Sequence, residues 1–303
     1  MQGGNGSLAP ELLARPEGLG TLMMIGGAED KTGRRTCLQA LAELVGEGSL
    51  VLATLASEEP ELQWRTYSRV FHELGIPSVQ RLVVRTRDDL SRVEAVNMLK
   101  NAKAVFFTGG DQLRITTLLG GTPAYDIIRA LYKKKGGIIA GTSAGAAAMG
   151  QVMLMSTASE GPETHKIRQA FIMARGLALI RDVVIDQHFA QRARIERLLG
   201  AIAENPGVLG LGIDEDTAII VDWQHFKVIG SGAVYVADGS GISYSNIAER
   251  GPESTLCLHH VKLHVLATGS AFDMAGRQPY RYVQVGASIA DETGSPASAG
   301  EMV

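Results

Sequence analysis

The first half of the chain alternates short apolar runs with longer amphipathic ones, a pattern that few folds can satisfy. Thr21–Ile25 (TLMMI) reads as a strand ending in Gly26-Gly27. Residues 32–45 then carry Leu38, Leu41, Ala42 and Val45 at spacings of three and four, which predicts a helix. The unit repeats as a strand over 50–55, a helix over 60–74 with Pro60 at its start, a strand over 81–84 and a helix over 89–99. A strand over 103–108 closes on Gly109-Gly110-Asp111-Gln112, and a helix over 123–132 leads to an apolar run at 136–140. Such alternation predicts βαβ units, hence an α/β fold with a mostly parallel, doubly wound sheet flanked by helices. Ligands in such sheets sit beyond the carboxyl ends of the strands, where both Gly-Gly pairs fall.

The run at 136–140 feeds Gly141-Thr142-Ser143-Ala144-Gly145, which fits G-x-S-x-G. In that pattern a strand turns sharply into a helix and holds a serine at the sheet edge. A Cβ at Gly141 or Gly145 would fill space needed by backbone and substrate, and the free N–H groups at a helix start favour an oxyanion. Taken alone, a Gly/Ser/Ala-rich turn is only a turn; its place on the rim makes Ser143 a candidate nucleophile. Residues 136–159 lack charge and are long enough to span a bilayer, but nearly half are Gly, Ser, Thr or Gln, so they read as an active-site region.

Beyond the elbow, 151–164 lacks periodicity and is expected to be a loop or lid. A strand over 182–186 ends in Asp186-Gln187-His188-Phe189, a helix follows over 190–203, and a strand over 208–213 ends in Asp214-Glu215-Asp216. The runs TAIIVDW, HFKVIGS and AVYVAD predict antiparallel β hairpins toward the C-terminus, which finish the sheet or form a second small one. One more strand is expected over 256–266. The expected organisation is a flexible arm over 1–20, a single domain over 21–281 and a disordered tail over 282–303.

With 29 Lys and Arg against 32 Asp and Glu, the net charge of −3 leaves no electrostatic footprint for nucleic acid or an anionic membrane. The two cysteines, Cys37 and Cys257, are far apart and outside any Cys/His cluster, so neither a disulfide framework nor a zinc site is expected. No P-loop and no G-x-G-x-x-G follows the first strand, so no nucleotide, metal or other cofactor is expected. The opening MQGGNGSLAP has neither a basic nor an apolar leader segment, and the expectation is a cytoplasmic protein.

A serine nucleophile needs a base, and the base a partner that fixes its tautomer. Of seven histidines, only His188 stands at the carboxyl end of a strand and before a helix. The acid is expected in Asp214-Glu215-Asp216, where alternation puts Glu215 opposite its two neighbours. The sequence leaves the choice among them open. The order serine, histidine, acid differs from that of the α/β-hydrolases and weighs against such an esterase. Arg192, Arg194 and Arg197 open the helix after His188, where acidic residues are favoured. Either they bind substrate carboxylates, or they form a solvated face with Arg192 paired to Glu196.

Together, Gly26-Gly27-Ala28-Glu29-Asp30-Lys31, Phe107 to Gln112, Gly141 to Ala146, Asp186 to Phe189 with the three arginines, and Gly212 to Ala218 resemble, in order, the motifs of the cyanophycinases. These are serine peptidases related to dipeptidase E, with a fold similar to class I glutamine amidotransferases. The resemblance implies Ser143 as nucleophile, His188 as general base and then acid, and Glu215 as the residue that orients His188. It implies an oxyanion hole from the N–H groups of Gly110 and Ala144. It implies a substrate site lined by Gln112, Asp186, Gln187, Arg192, Arg194 and Arg197; read from the residues themselves, an acid such as Asp186 is expected to help receive a substrate guanidinium. It further implies a metal-free homodimer that degrades cyanophycin, an arginine-bearing polyaspartate, to β-Asp-Arg dipeptides through an acyl-enzyme. The alternatives are an aspartyl or isoaspartyl dipeptidase of the same fold, disfavoured by Gln112 and the three arginines because a dipeptide offers fewer carboxylates to bind, and a non-catalytic binding module, against which the complete set Ser143, His188 and Glu215 argues.

Overall fold

In the computed structural model, which describes residues 14–155, 172–249, 251 and 254–281, the alternating half forms β1 (Thr21–Ile25), α1 (Thr36–Val45), β2 (Ser49–Ala53), α2 (Pro60–Glu73), β3 (Ser78–Leu82), α3 (Val93–Lys100) and β4 (Ala104–Phe107). It continues through α4 (Gln112–Leu119), α5 (Pro123–Lys134), β5 (Ile138–Thr142) and the single turn α6 (Ala144–Ala147). Then come β6 (Gly150–Met155), β7 (Ile172–Arg175), β8 (Ile180–Gln187), α7 (Ile195–Glu204) and β9 (Leu209–Ile213). The described residues end in β10 (Thr217–Asp222), β11 (His225–Gly230), β12 (Ala233–Asp238), β13 (Tyr244–Ser245), β14 (Leu258–His259), β15 (Lys262–Ala267), β16 (Ser270–Asp273) and β17 (Gln278–Arg281).

Among the described residues, nine strands form one sheet in the order β17-β16-β11-β10-β1-β5-β4-β2-β3. Its five strands from β1 to β3 run parallel, and β10, β11, β16 and β17 extend it antiparallel. A second sheet has the order β15-β12-β9-β8-β6-β7, with β6, β8 and β9 parallel. The hairpins therefore do both things expected of them, and the second sheet is begun well upstream of them by β6 and β8.

Alternation along each strand assigns the layers. Met23, Leu52 and Phe106 face α1 and α2, where Leu38, Leu41 and Phe71 cover them. Leu22, Val51 and Phe107 face the opposite way, into a core shared with α3 to α6 and with Ile185, Leu211 and Val236 of the second sheet. The outer side of that second sheet is covered by α7 through Leu198, Ala201 and Ile202. The small residues of α6 are what let it sit between the sheets, in contact with β1, β4, β5, β6 and β8.

Several elements depart from their sequence reading. α1 begins only at Thr36, because the Asp30 carboxylate accepts the N–H groups of Thr32, Gly33 and Arg35 at 2.8–3.0 Å and holds 30–35 in a turn. Those donors favour the charged form and push the Asp30 carboxyl well below its usual range. α4 carries no signal beyond Ile115 and Leu119, four apart, and exists because those side chains are buried and Asp111 caps Leu113 N at 2.8 Å. The expected strand over 256–266 is broken at His260, whose φ of 64° turns the chain from β14 to β15. β6 occupies the start of the expected 151–164 loop; the rest of that loop lies outside the described residues. So do 1–13 of the expected arm and the tail 282–303. Of the arm's described end, Leu19 is buried, Gly20 N donates to Tyr132 O at 2.6 Å and Gly136 N donates to Gly18 O at 2.6 Å. Among the described residues no helix is long and apolar enough to cross a membrane.

Candidate active site

Ser143 is the residue at which β5 becomes α6. Its φ of 52° and ψ of −114° are strained for a residue with a Cβ, a conformation costing about 1–3 kcal/mol that only the surrounding structure can impose. The constraint is visible in Ser143 N, which donates to Ile25 O of β1 at 2.9 Å. Beside it, the turn after β4 brings Gly110 into contact with the backbone at Ala56; with φ at 136°, a Cβ there would lie 2.1 Å from Ala56 O. Among the described residues neither Gly110 N–H nor Ala144 N–H has an acceptor.

His188 follows β8 of the second sheet, and Glu215 follows β9. Ser143 Oγ lies 2.9 Å from His188 Nε2, and His188 Nδ1 lies 2.6 Å from Glu215 Oε1. A carboxylate only accepts, so the imidazole proton resides on Nδ1 and the Nε2 lone pair faces the serine hydroxyl. Burial pushes the His188 pKa down, and the charges of Arg192 and Arg194 push the same way. Glu215 opposes them through its hydrogen bond and charge, without reversing the shift. Gly27 supports the ring from beneath: a Cβ there would lie 2.3 Å from His188 Cε1, and its φ of 104° suits glycine alone.

The acidic triplet divides its work as alternation requires. Asp214 is buried and accepts Ala190 N at 3.0 Å and Ala233 N at 3.1 Å, tying the histidine turn to β12. Asp216 accepts Asp30 N at 2.9 Å and the Ser231 hydroxyl at 2.8 Å. Glu215 alone meets His188, and its own N–H donates to Gln191 Oε1 at 3.1 Å.

The residues expected to line a substrate site separate into two groups. Asp186 is fully buried, and its oxygens are taken by Arg197 Nε at 2.7 Å, Arg197 Nη2 at 2.5 Å and Arg194 Nη1 at 3.2 Å. It is therefore neutralised within the wall, and the expectation that it receives a substrate guanidinium is not carried by this geometry. Arg194 also donates to Gln187, whose amide donates in turn to Gln112 Oε1 at 3.4 Å, and Gln112 Nε2 donates to Leu154 O at 2.8 Å. These side chains brace the site. Arg192 differs, because the helix starts later than its sequence pattern indicates. Ala193, at φ 49°, keeps 190–194 in a turn, so Arg192 precedes α7, and α7 proper opens with acidic Glu196 in its first turn. Arg192 is exposed, acts electrostatically on His188 and is in no ion pair among the described residues, including the one expected with Glu196.

Two features escaped the sequence reading. Gln191 is an ordinary polar residue in a predicted helix. Glu29 stands in the Gly26–Lys31 block with no role of its own assigned, and it is buried against Tyr67 and Thr142. A carboxylate placed directly after an apolar strand and a Gly-Gly turn was the available signal. Among the described residues, no group of three or more His, Cys, Asp or Glu side chains is arranged to hold a metal ion.

Comparison with known proteins supplies relatives of the whole fold. A curated cyanophycinase of Geminocystis herdmanii is 38% identical over 263 residues, covering 86% of this chain and 95% of that protein. One from Synechococcus elongatus is 36% identical, covering 86% of this chain and 80% of its own length, and one from Nostoc sp. is 37% identical, covering 84% and 86%. Among solved structures, a peptidase from an acI-B1 Actinobacterium superposes with a TM-score of 0.60 at 22% identity over 81% of this chain and 98% of its own, a likeness of fold. The model of peptidase family S51 matches residues 22–229, a stretch running from β1 through the serine elbow and the histidine turn to β11, and the chain belongs to that family.

Proposed function

We propose that this peptidase is a serine exopeptidase that hydrolyses cyanophycin, releasing β-Asp-Arg dipeptides through an acyl-enzyme on Ser143. The observation that carries the reading is the hydrogen-bonded row Ser143–His188–Glu215. The polymer is supported by the three curated relatives above, each named cyanophycinase, which match most of the chain at 36–38% identity. In the reaction Ser143 Oγ attacks the backbone carbonyl while its proton passes to His188 Nε2. Glu215 holds the imidazole and stabilises the imidazolium that forms. The free N–H groups of Gly110 and Ala144 receive the oxyanion. His188 then protonates the leaving amine, takes a proton from an attacking water, and returns it to Ser143 as the acyl bond breaks. Arg192 meets a carboxylate of the substrate, and the ion cluster of Asp186, Arg194 and Arg197 keeps that wall rigid.

The reading extends to a cytoplasmic homodimer. Its support is the family resemblance and, for the compartment, the two free cysteines, one buried and one exposed. Incubation of the protein, and of Ser143→Ala beside it, with cyanophycin granules tests the activity. Release of β-Asp-Arg by the parent alone, identified by mass spectrometry, is the expected result. No soluble dipeptide from active, Ser143-labelled enzyme would remove cyanophycin as the substrate.

A further inference from the structure

The turn 26–30 after β1 touches His188 and the chain neighbours of Glu215 and Ser143. Gly26 O accepts His188 N at 2.8 Å, Gly27 O accepts Asp216 N at 2.9 Å beside Glu215, and Asp30 N donates to Asp216 Oδ1 at 2.9 Å. The side chain of Glu29 ties this turn to the serine elbow. It is 3% exposed; Thr142 Oγ1, on the residue before Ser143, donates to its Oε2 at 2.5 Å, and the buried Tyr67 hydroxyl of α2 donates to its Oε1. Lys31 Nζ completes the set 3.2 Å from Oε1 and lies over the Tyr67 ring. Burying a carboxylate costs several kcal/mol unless it is paired and hydrogen-bonded, and here both oxygens are occupied. None of these groups touches the reacting atoms.

We propose that Glu29 is a positioning residue for the nucleophile: its bond to Thr142 holds Ser143 in its strained conformation and in register with the turn that carries His188 and Glu215. The serine is attached to the first sheet and its two partners to the second, so the distance from Oγ to Nε2 depends on how the turn and the elbow are joined. This rests on the assignment of Ser143, His188 and Glu215 as the triad.

A fluorophosphonate tests it without the natural substrate, since an Oγ–P bond forms as fluoride leaves and His188 takes the serine proton. In folded Glu29→Gln we expect the Ser143 labelling rate to fall by roughly ten- to a hundredfold, and kcat on a cleaved peptide to fall with it at unchanged KM. Thr142→Val should lose rate similarly, Thr142→Ser should restore most of that loss, and the double variant should be no slower than the slower single one. Labelling at the parental rate in folded Glu29→Gln or Thr142→Val overturns the proposal, as does an equal loss in Thr142→Ser and Thr142→Val. If Glu29→Gln does not fold, the Thr142 pair decides. A parent that is not labelled at all overturns the triad assignment and this role with it, whereas a labelled parent with unaffected variants overturns the role alone.

Discussion

In the proposed mechanism His188 accepts the serine proton in its neutral form, and its surroundings favour that form. Burial is the largest cause of its lowered pKa, followed on the same side by Arg192 and Arg194, while Glu215 pulls the other way. The acid limb of kcat/KM is therefore expected below about 6.5, the ordinary histidine value. Arg192→Gln removes a repelling charge and should move that limb up in pH. Glu215→Gln removes the opposing contributions and should move it down while lowering kcat; pH–rate profiles of the three proteins check both directions. The unfolded chain binds the proton more readily, so His188 stabilises the fold above about pH 6.5, an effect lost as pH falls through its folded pKa. Ser143→Ala is expected to lower turnover by at least about 10⁴-fold with the fold unchanged by circular dichroism. At this scale Ser143 and His188 were legible because each stands at the end of a readable strand. Spacing did not choose Glu215 over Asp214, since alternation separates the three carboxylates without saying which face the histidine occupies; the family motif did.

The site depends on elements whose backbones approach closely. Gly27→Ala would place a Cβ 2.3 Å from His188 Cε1 and strain a φ of 104°, so we expect about 1–3 kcal/mol of lost stability and a fall in kcat exceeding that in KM, measured by denaturation and steady-state kinetics. Arg197→Met should cost more, about 3–5 kcal/mol in urea denaturation, because it withdraws two of the hydrogen bonds that neutralise the buried Asp186. β1 and β9 were readable as short apolar runs buried on both faces, and α2 from the proline at its start. α4 was not, having only two periodic apolar positions. The start of α7 was also hidden, since the turn at 190–194 combines the positive φ of Ala193 with an anchor at Ala190 N from Asp214, far off in sequence.

At the scale of the whole molecule the two sheets share one core, in which Leu22, Ile139 and Leu211 belong to a single cluster. Leu211→Ala is expected to cost about 2–5 kcal/mol. Because the core is continuous, secondary and tertiary structure should be lost in one transition when far- and near-ultraviolet dichroism are followed together. The sequence by itself determined the α/β alternation, the strand–turn–helix elbow with its serine, and the histidine and acidic clusters at strand ends. These follow from local sterics and periodic burial, which act within one element. Only the tertiary structure decided that the parallel strands divide between two sheets, that the serine comes from one and its partners from the other, and that Glu29, Asp186 and two of the three arginines are buried. Those outcomes depend on which face of each element finds an apolar neighbour and which charge finds its partner, and both are settled across long separations in sequence.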